Sequence, residues 1–465
     1  MERGWAMGRW MAAPAGTFRR LWGFYVPLAA SDLLMAAGEM AVNAGIARLA
    51  APDLSLAAYG AVIATCLLIE SPVIMLLHAG NALATGDQAL RRLQHFTLLL
   101  GGILTALHAA LAFTGLFDLY FGRMLGLEPA LLPLVRPAFA VMLPWTAAIA
   151  WRRLHQGLLI RHGHTVVASR GTMIRLATLA AVLLLGGLTG MPGAIAGCAG
   201  LAAAVTAECA YVDRYARRWL HRTWRGAGRP AAQAVPQNVL GWRDLLSFYV
   251  PLALTSVTTF AARPVLTGLL ARAVDAPLAL AAWPVAWSVV LLFMLPMRTV
   301  EQVAIAHGEE VPWRAIHGFA GRVGLGGVAA MALLAATPLA GPFLQGAVAV
   351  SGDVARVARL GLLAMIPVPL IVALASCQAG RLVRSRHTVF VHLAALANVA
   401  ALTATALMVR ALVPAMSGTV IAAVALIAAY LAEWAVLWAG AARTAGEGLW
   451  LRRRAVLQGA AQGKL

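Results

Sequence analysis

Apolar stretches long enough to cross a bilayer, which takes about 20 residues, recur twelve times along this chain. The first six fall at 24–47, 56–80, 94–116, 131–160, 165–190 and 191–213. The second six fall at 248–271, 278–303, 317–340, 356–383, 387–410 and 415–440. Only Gly190-Met191-Pro192-Gly193 parts the fifth stretch from the sixth. The pattern predicts an all-α integral membrane protein with twelve transmembrane helices.

The two sets are copies of each other. Phe24–Ala29 reads FYVPLA and returns as Phe248–Ala253, an offset of 224 residues. At that offset Ala47-Arg48 meets Ala271-Arg272, Leu56-Ala57-Ala58-Tyr59 meets Leu280-Ala281-Ala282-Trp283, and Pro72 meets Pro296. One residue shorter, Pro144 meets Pro367, Gly157 meets Gly380, Arg161 meets Arg384, and His164-Thr165 meets His387-Thr388. Six spans per copy send both halves into the membrane in the same direction, so an axis along the membrane normal relates them. The expected layout is an N-terminal segment over 1–23, an N-lobe over 24–213 and a basic linker over 214–247. A C-lobe over 248–440 and a tail over 441–465 complete it. An internal repeat in so apolar a chain is the mark of a two-lobed transporter working by alternating access.

Composition agrees: 61% of residues are hydrophobic, 12% are charged and the mean hydropathy is +0.79. A net charge of +19 would suit nucleic acid, but the arginines sit in short loops beside apolar runs, where they read as topology signals and contacts to membrane lipids. No nucleic-acid partner is expected. With the N-terminus cytoplasmic, inside segments hold more than three times the Arg and Lys of outside loops. Both termini are therefore expected in the cytoplasm, and a cell (inner) membrane is the expected location. The stretch at 24–47 reads as an uncleaved first span. Cys66, Cys198, Cys209 and Cys377 lie in apolar stretches without metal-ligand spacing and read as packing residues, so no metal or cofactor is expected. A monomer is expected.

A charge at mid-bilayer costs about 2.5–3.5 kcal/mol on insertion scales and persists only with a partner or a purpose. The first span carries Asp32 and Glu39, seven residues apart and so on one face, with Asn43 one turn further. The second carries Glu70, the fourth Trp151-Arg152-Arg153 with His155, the seventh Arg263, and the eighth Arg298 and Glu301. Arg152, Arg153, Arg263 and Arg298 suit phosphate or carboxylate oxygens, and the competing reading is burial against Asp32, Glu70 or Glu301. Glu39, Asp32, Glu70, Glu301 and His155 are the candidates for gating or proton coupling, although helix packing also explains the histidine. Glu39 and Arg263 are repeat-equivalent, at an offset of 224, and an ion pair between the lobes is one expectation for them. Glu208 and Glu433, offset by 225, read as structural. The chain has no Walker-type phosphate loop, nucleophile elbow or zinc-protease motif, so it is not expected to be an enzyme.

Several motifs resemble the progressive ankylosis protein family. They are Val26–Leu28, the GExxxNxGIA of Gly38–Ala47, Leu56–Gly60 followed by Pro72, and Ala148–Trp151 with Gly157–Leu159. Pro251–Leu254, Arg263-Pro264, Trp283-Pro284-Val285 and Pro367–Pro369 continue the pattern. The resemblance implies a multidrug/oligosaccharidyl-lipid/polysaccharide exporter fold of the MATE kind, with two six-helix lobes. It implies export of a small anion of the pyrophosphate, nucleotide or citrate class. It also places Glu39, Asn43, Trp151 and Arg263 at or near a central cavity. Substrate binding is thus expected at Arg263, Arg298, Arg152, Trp151 and Asn43. The alternatives are a proton- or cation-coupled extruder of lipophilic cations and a flippase for a lipid-linked precursor.

Overall fold

The computed structural model describes residues 15–162, 164, 166–223, 240–308, 310–385, 387 and 389–462. The N-lobe comprises α1 (Ala15–Ile46), α2 (Pro52–Ile74), α3 (Leu76–Leu83), α4 (Asp87–Phe113), α5 (Leu132–Val141), α6 (Leu143–Arg161), α7 (Val166–Leu188) and α8 (Gly193–Thr223). The C-lobe comprises α9 (Trp242–Leu270), α10 (Ala276–Arg298), α11 (Val300–His307), α12 (Trp313–Ala336), α13 (Gly352–Ala364), α14 (Val368–Arg384), α15 (Val389–Leu412) and α16 (Gly418–Gln462). Short π-helical segments, Asp118–Met124 and Pro342–Ala347, follow α4 and α12.

Ten segments are long and apolar enough to cross a membrane, and α13 with α14, bent by 47°, forms an eleventh. The twelfth membrane-length helix is α1, 32 residues long with Asp32 and Glu39 inside it. Four of the repeated prolines lie where spans break, whereas Pro27 and Pro251 lie inside the unbroken α1 and α9. Pro72 and Pro296 each lie two residues before the end of α2 and α10, Pro144 opens α6 and Pro367 caps α14. A proline lacks the N–H its helix needs and clashes with the preceding turn, so breaks recur at repeat-equivalent places. The linker expected over 214–247 is partly helical: α8 runs ten residues past the predicted 213 and α9 begins at Trp242. Its remainder at 224–239 lies outside the described residues, as do residues 1–14 and 463–465 of the expected terminal segments.

We call the end of the bundle near the chain termini proximal and the other end distal. Repeat-equivalent glycines let helices touch at the proximal end. A Cβ at Gly157 would lie 2.2 Å from the Leu77 carbonyl oxygen, and one at Gly380 would lie 2.5 Å from that of Glu301. Small residues permit such backbone contact in lipid, where packing rather than the hydrophobic effect joins helices.

The lobes meet through their first two helices: α1 packs on α10, α9 on α2, and α2 on α10. Gly60 and Pro284 are repeat-equivalent, and a Cβ at Gly60 would lie 2.6 Å from Pro284 Cγ. Two equivalent residues can touch only beside the axis that relates them, so the pseudo-twofold passes here. At the distal end each lobe clamps the other. Arg48 donates to the carbonyls of Ala347, Val348 and Gly346 at 2.6, 3.3 and 3.4 Å. Arg272 donates to those of Met124, Leu125 and Arg123 at 2.6, 2.8 and 3.1 Å. These carbonyls end the π-helical segments and lack helical donors, which makes them acceptors for a cation. At the proximal end the contacts are aromatic: Tyr25 lies edge-on to Phe319 at 5.5 Å, and its equivalent Tyr249 to Phe96 at 4.8 Å.

Candidate functional site

The polar face predicted on α1 lies along the seam between the lobes. Thr299, at the α10–α11 break, donates its hydroxyl proton to Asp32 at 2.5 Å. Asn43 is buried and donates to the Pro284 carbonyl at 2.9 Å. Glu39 lies between these two contacts and is exposed. The amide oxygen of Asn43 is buried with no hydrogen-bond partner.

Arg263 of α9 faces this seam, with its guanidinium 5.7 Å from the Trp287 ring centre and 5.9 Å from that of Phe260. Trp287 in turn stacks on Trp283 at 6.1 Å. The expected pair does not form: among the described residues no ion pair joins Glu39 to Arg263. Both charges lie within electrostatic range of Tyr59. Repeat equivalence set the two residues at matching positions but could not set the facing rotamers. Trp287 of α10 and Phe260 of α9 hold the guanidinium by cation–π attraction instead.

Inside the N-lobe, Glu70 is buried and accepts a hydrogen bond from the Trp145 indole. Arg152 pairs with Glu208 at 2.5 Å, both side chains almost wholly buried, and Gln156 donates to the same carboxylate at 3.2 Å. Trp151 donates to Asp213 at 2.8 Å. His155 meets the Trp151 carbonyl through Nδ1 at 2.9 Å and Gln94 through Nε2 at 3.3 Å. A carbonyl only accepts, so the proton sits on Nδ1 and Nε2 accepts from the amide. Trp151, Arg152 and His155 thus have partners within their own lobe, away from the seam. Arg153 keeps a buried Nε with no partner, and the charge of Arg175, on α7, adds to this interior.

The C-lobe interior differs. The Arg298 guanidinium lies within electrostatic range of Tyr430, Glu433 and Glu301. Asn398 donates to Glu433 at 2.7 Å, and Tyr430 donates to the Met294 sulfur at 3.1 Å. Arg298 is exposed and sits in no ion pair among the described residues.

Sequence reasoning missed Trp145, Arg175, Asn398 and Tyr430. For two of them the signal was present: Arg175 and Asn398 are repeat-equivalent, at an offset of 223, and are polar positions in otherwise apolar helices. Gln94 and His155 also map onto His317 and Gln378, the same bond with the two residue types exchanged, at 2.7 Å in the C-lobe.

A family model described as progressive ankylosis protein matches residues 12–192 and 234–445. No curated protein matches the chain. Among solved structures, an inward-facing multidrug resistance MATE family transporter of the MOP superfamily is similar at a TM-score of 0.71 and 14% identity, over 88% of this chain and 94% of that one. Lipid II flippase MurJ in an inward closed conformation is similar at 0.64 and 12%, over 87% and 86%. A MOP superfamily transporter from Pyrococcus furiosus, described as having a binding pocket of reverse polarity, is similar at 0.56 and 13%, over 93% and 96%. The fold is that of the MATE proteins, with two lobes of six spans.

Proposed function

We propose that this chain, which belongs to the progressive ankylosis protein family, is a secondary transporter that exports a small phosphorylated or carboxylate anion by alternating access of its lobes. One observation carries the reading. Among the described interior residues the carboxylates of Asp32, Glu70 and Glu433 take hydrogen bonds from the uncharged donors Thr299, Trp145 and Asn398. Arg152 alone among Arg152, Arg153, Arg175, Arg263 and Arg298 sits in an ion pair. The remaining guanidiniums keep their charge for a ligand, and a planar fork of donors suits phosphate and carboxylate oxygens.

The distal end faces the cell exterior if the loop arginines set the orientation. The reciprocal clamps of Arg48 and Arg272 then close the outer side and part when substrate leaves. Replacing both with alanine raises cysteine labelling of the seam from outside.

A second reading has an observation of its own. Glu39 is an exposed carboxylate on the seam with no ion pair among the described residues, which suits a lipophilic cation, as in a multidrug extruder. The flippase reading draws only on the likeness to MurJ.

Counterflow in proteoliposomes with labelled pyrophosphate, citrate, ATP and a lipophilic cation tests these readings. Uptake of an anion that weakens in Arg263→Ala supports the first. No anion uptake together with cation-driven proton release overturns it.

A further inference from the structure

At 31 residues, α8 is about 46 Å long, well beyond the roughly 30 Å of a hydrocarbon core. The excess is its last ten residues, Arg214–Thr223, which project from the proximal end. They are packed in place. Val212 and Ala216 are buried with Leu159 of α6 and Val167 of α7. Between α6 and α7, His164 meets the Tyr215 hydroxyl at 3.3 Å, and His162 lies 4.5 Å from the Trp219 ring. The opposite side of these turns carries Arg214, Arg218 and Arg222, all exposed. Steps of four residues keep the three within an arc of about 80° and a length of about 12 Å. None of them sits in an ion pair among the described residues. Asp213 is already taken, by Arg217 at 2.7 Å and by the Trp151 indole at 2.8 Å.

We infer that Arg214, Arg218 and Arg222 form a docking stripe for anionic phospholipid in the leaflet at the proximal end. Charge complementarity selects this occupant. A guanidinium binds phosphate oxygens in pairs, and an anionic leaflet presents many phosphates in one plane. The stripe lies on the convex face of a helix, where a small soluble anion meets cations screened by water on all sides. Its height suits a headgroup. Side chains lean towards the N-terminus of their helix, and α8 runs outward, so the three arginines lean back to the bilayer. Their long apolar stems extend that reach. Tyr215 and Trp219, half-buried among them, are the aromatic types that gather at the membrane–water boundary. Because packing against α6 and α7 fixes these turns, little ordering cost remains when a lipid binds.

Several other proximal arginines are engaged within the protein. Arg161 donates to the Asn81 carbonyl at 2.6 Å and Arg92 to that of Leu240 at 2.7 Å. Arg322 lies over Phe18 at 4.0 Å, and Arg20 pairs with Glu310 at 2.5 Å. The stripe is also confined to one lobe. At the offset of 225 that relates Glu208 to Glu433, the three positions become Ala439, Arg443 and Glu447. Since α8 packs on α6 and α7, a lipid on the stripe ties the N-lobe to the leaflet and leaves the C-lobe to move against it. Such a site stands whatever the transporter carries.

The test is native mass spectrometry of the purified full-length protein, incubated in detergent with equimolar phosphatidylglycerol and phosphatidylcholine. The unchanged protein is expected to retain phosphatidylglycerol in preference. Each arginine near a headgroup is worth roughly fivefold in affinity. Arg218→Gln is therefore expected to lower the preference about fivefold, and the triple change of Arg214, Arg218 and Arg222 to Gln by at least tenfold. Arg443→Gln removes the same charge from the equivalent place in the C-lobe and leaves the preference unchanged. The melting temperature without added lipid checks that each variant folds, and if the triple variant does not, Arg218→Gln alone carries the test. An unchanged protein with no preference, or an Arg218→Gln variant with the full one, overturns the inference. Equal losses from Arg218→Gln and Arg443→Gln also overturn it, since they show a general effect of charge. Release of the bound phosphatidylglycerol by millimolar inorganic phosphate marks a site for soluble anions and overturns the lipid assignment.

Discussion

The interiors of the two lobes have the same backbone and opposite electrostatics. In the N-lobe a carboxylate is locked to an arginine by a buried ion pair, Glu208 to Arg152. In the C-lobe its equivalent Glu433 accepts a hydrogen bond from the Asn398 amide, and Arg298 sits in no ion pair among the described residues. A buried ion pair is a poor source of stability but is expensive to break, because the survivor is left charged in low dielectric. A carboxylate held by a neutral donor can change its charge at lower cost. One lobe therefore holds its carboxylate by a buried ion pair and the other by a neutral donor. The repeat supplies the common frame, and a few substitutions within it divide the roles.

The sharpest break in this comparison comes from removing one partner on each side. Arg152→Ala strands Glu208 and is expected to destabilise the protein by about 3–5 kcal/mol, read as a large fall in the melting temperature of the detergent-solubilised protein. An equal effect from Arg298→Ala would erase the distinction between the lobes. Next in size are the features the lobes share. Gly157→Ala and Gly380→Ala each force a methyl onto a facing carbonyl, at 2.2 and 2.5 Å, and each is expected to cost about 1–3 kcal/mol. Similar losses in melting temperature for the two confirm that architecture, unlike charge, is symmetric. Asn398→Ala removes one hydrogen bond from Glu433 and is expected to cost about 1–2 kcal/mol, well short of the Arg152 variant. The smallest effect is expected at the seam. Because no ion pair joins Glu39 to Arg263 in the described structure, Glu39→Arg combined with Arg263→Glu should transport no better than either single variant. Recovery in the double variant would show that the pair forms in another state of the cycle.

The broad plan was legible in the chain. Twelve apolar stretches, two matched halves and prolines at matched depths led to the lobes and to the helix breaks at Pro72, Pro296, Pro144 and Pro367. Span length is set by bilayer thickness and helix rise, and a proline removes a helix hydrogen bond wherever it falls, so both are local properties that a sequence displays. The face shared by Asp32, Glu39 and Asn43 was legible too, since helical spacing alone fixes it. The partners along that face were not. Thr299 and the Pro284 carbonyl meet α1 only because α10 of the other lobe crosses it. Likewise, the sequence marked Arg152 and Arg298 as equally intrusive charges. Packing alone decided that Glu208 pairs with the first while no carboxylate pairs with the second among the described residues, because a side chain's partner depends on which helix lies opposite. The chain by itself determined how many helices there are, where they break and which faces carry charge. Only the tertiary structure decided which of those charges are neutralised and which remain available to a ligand.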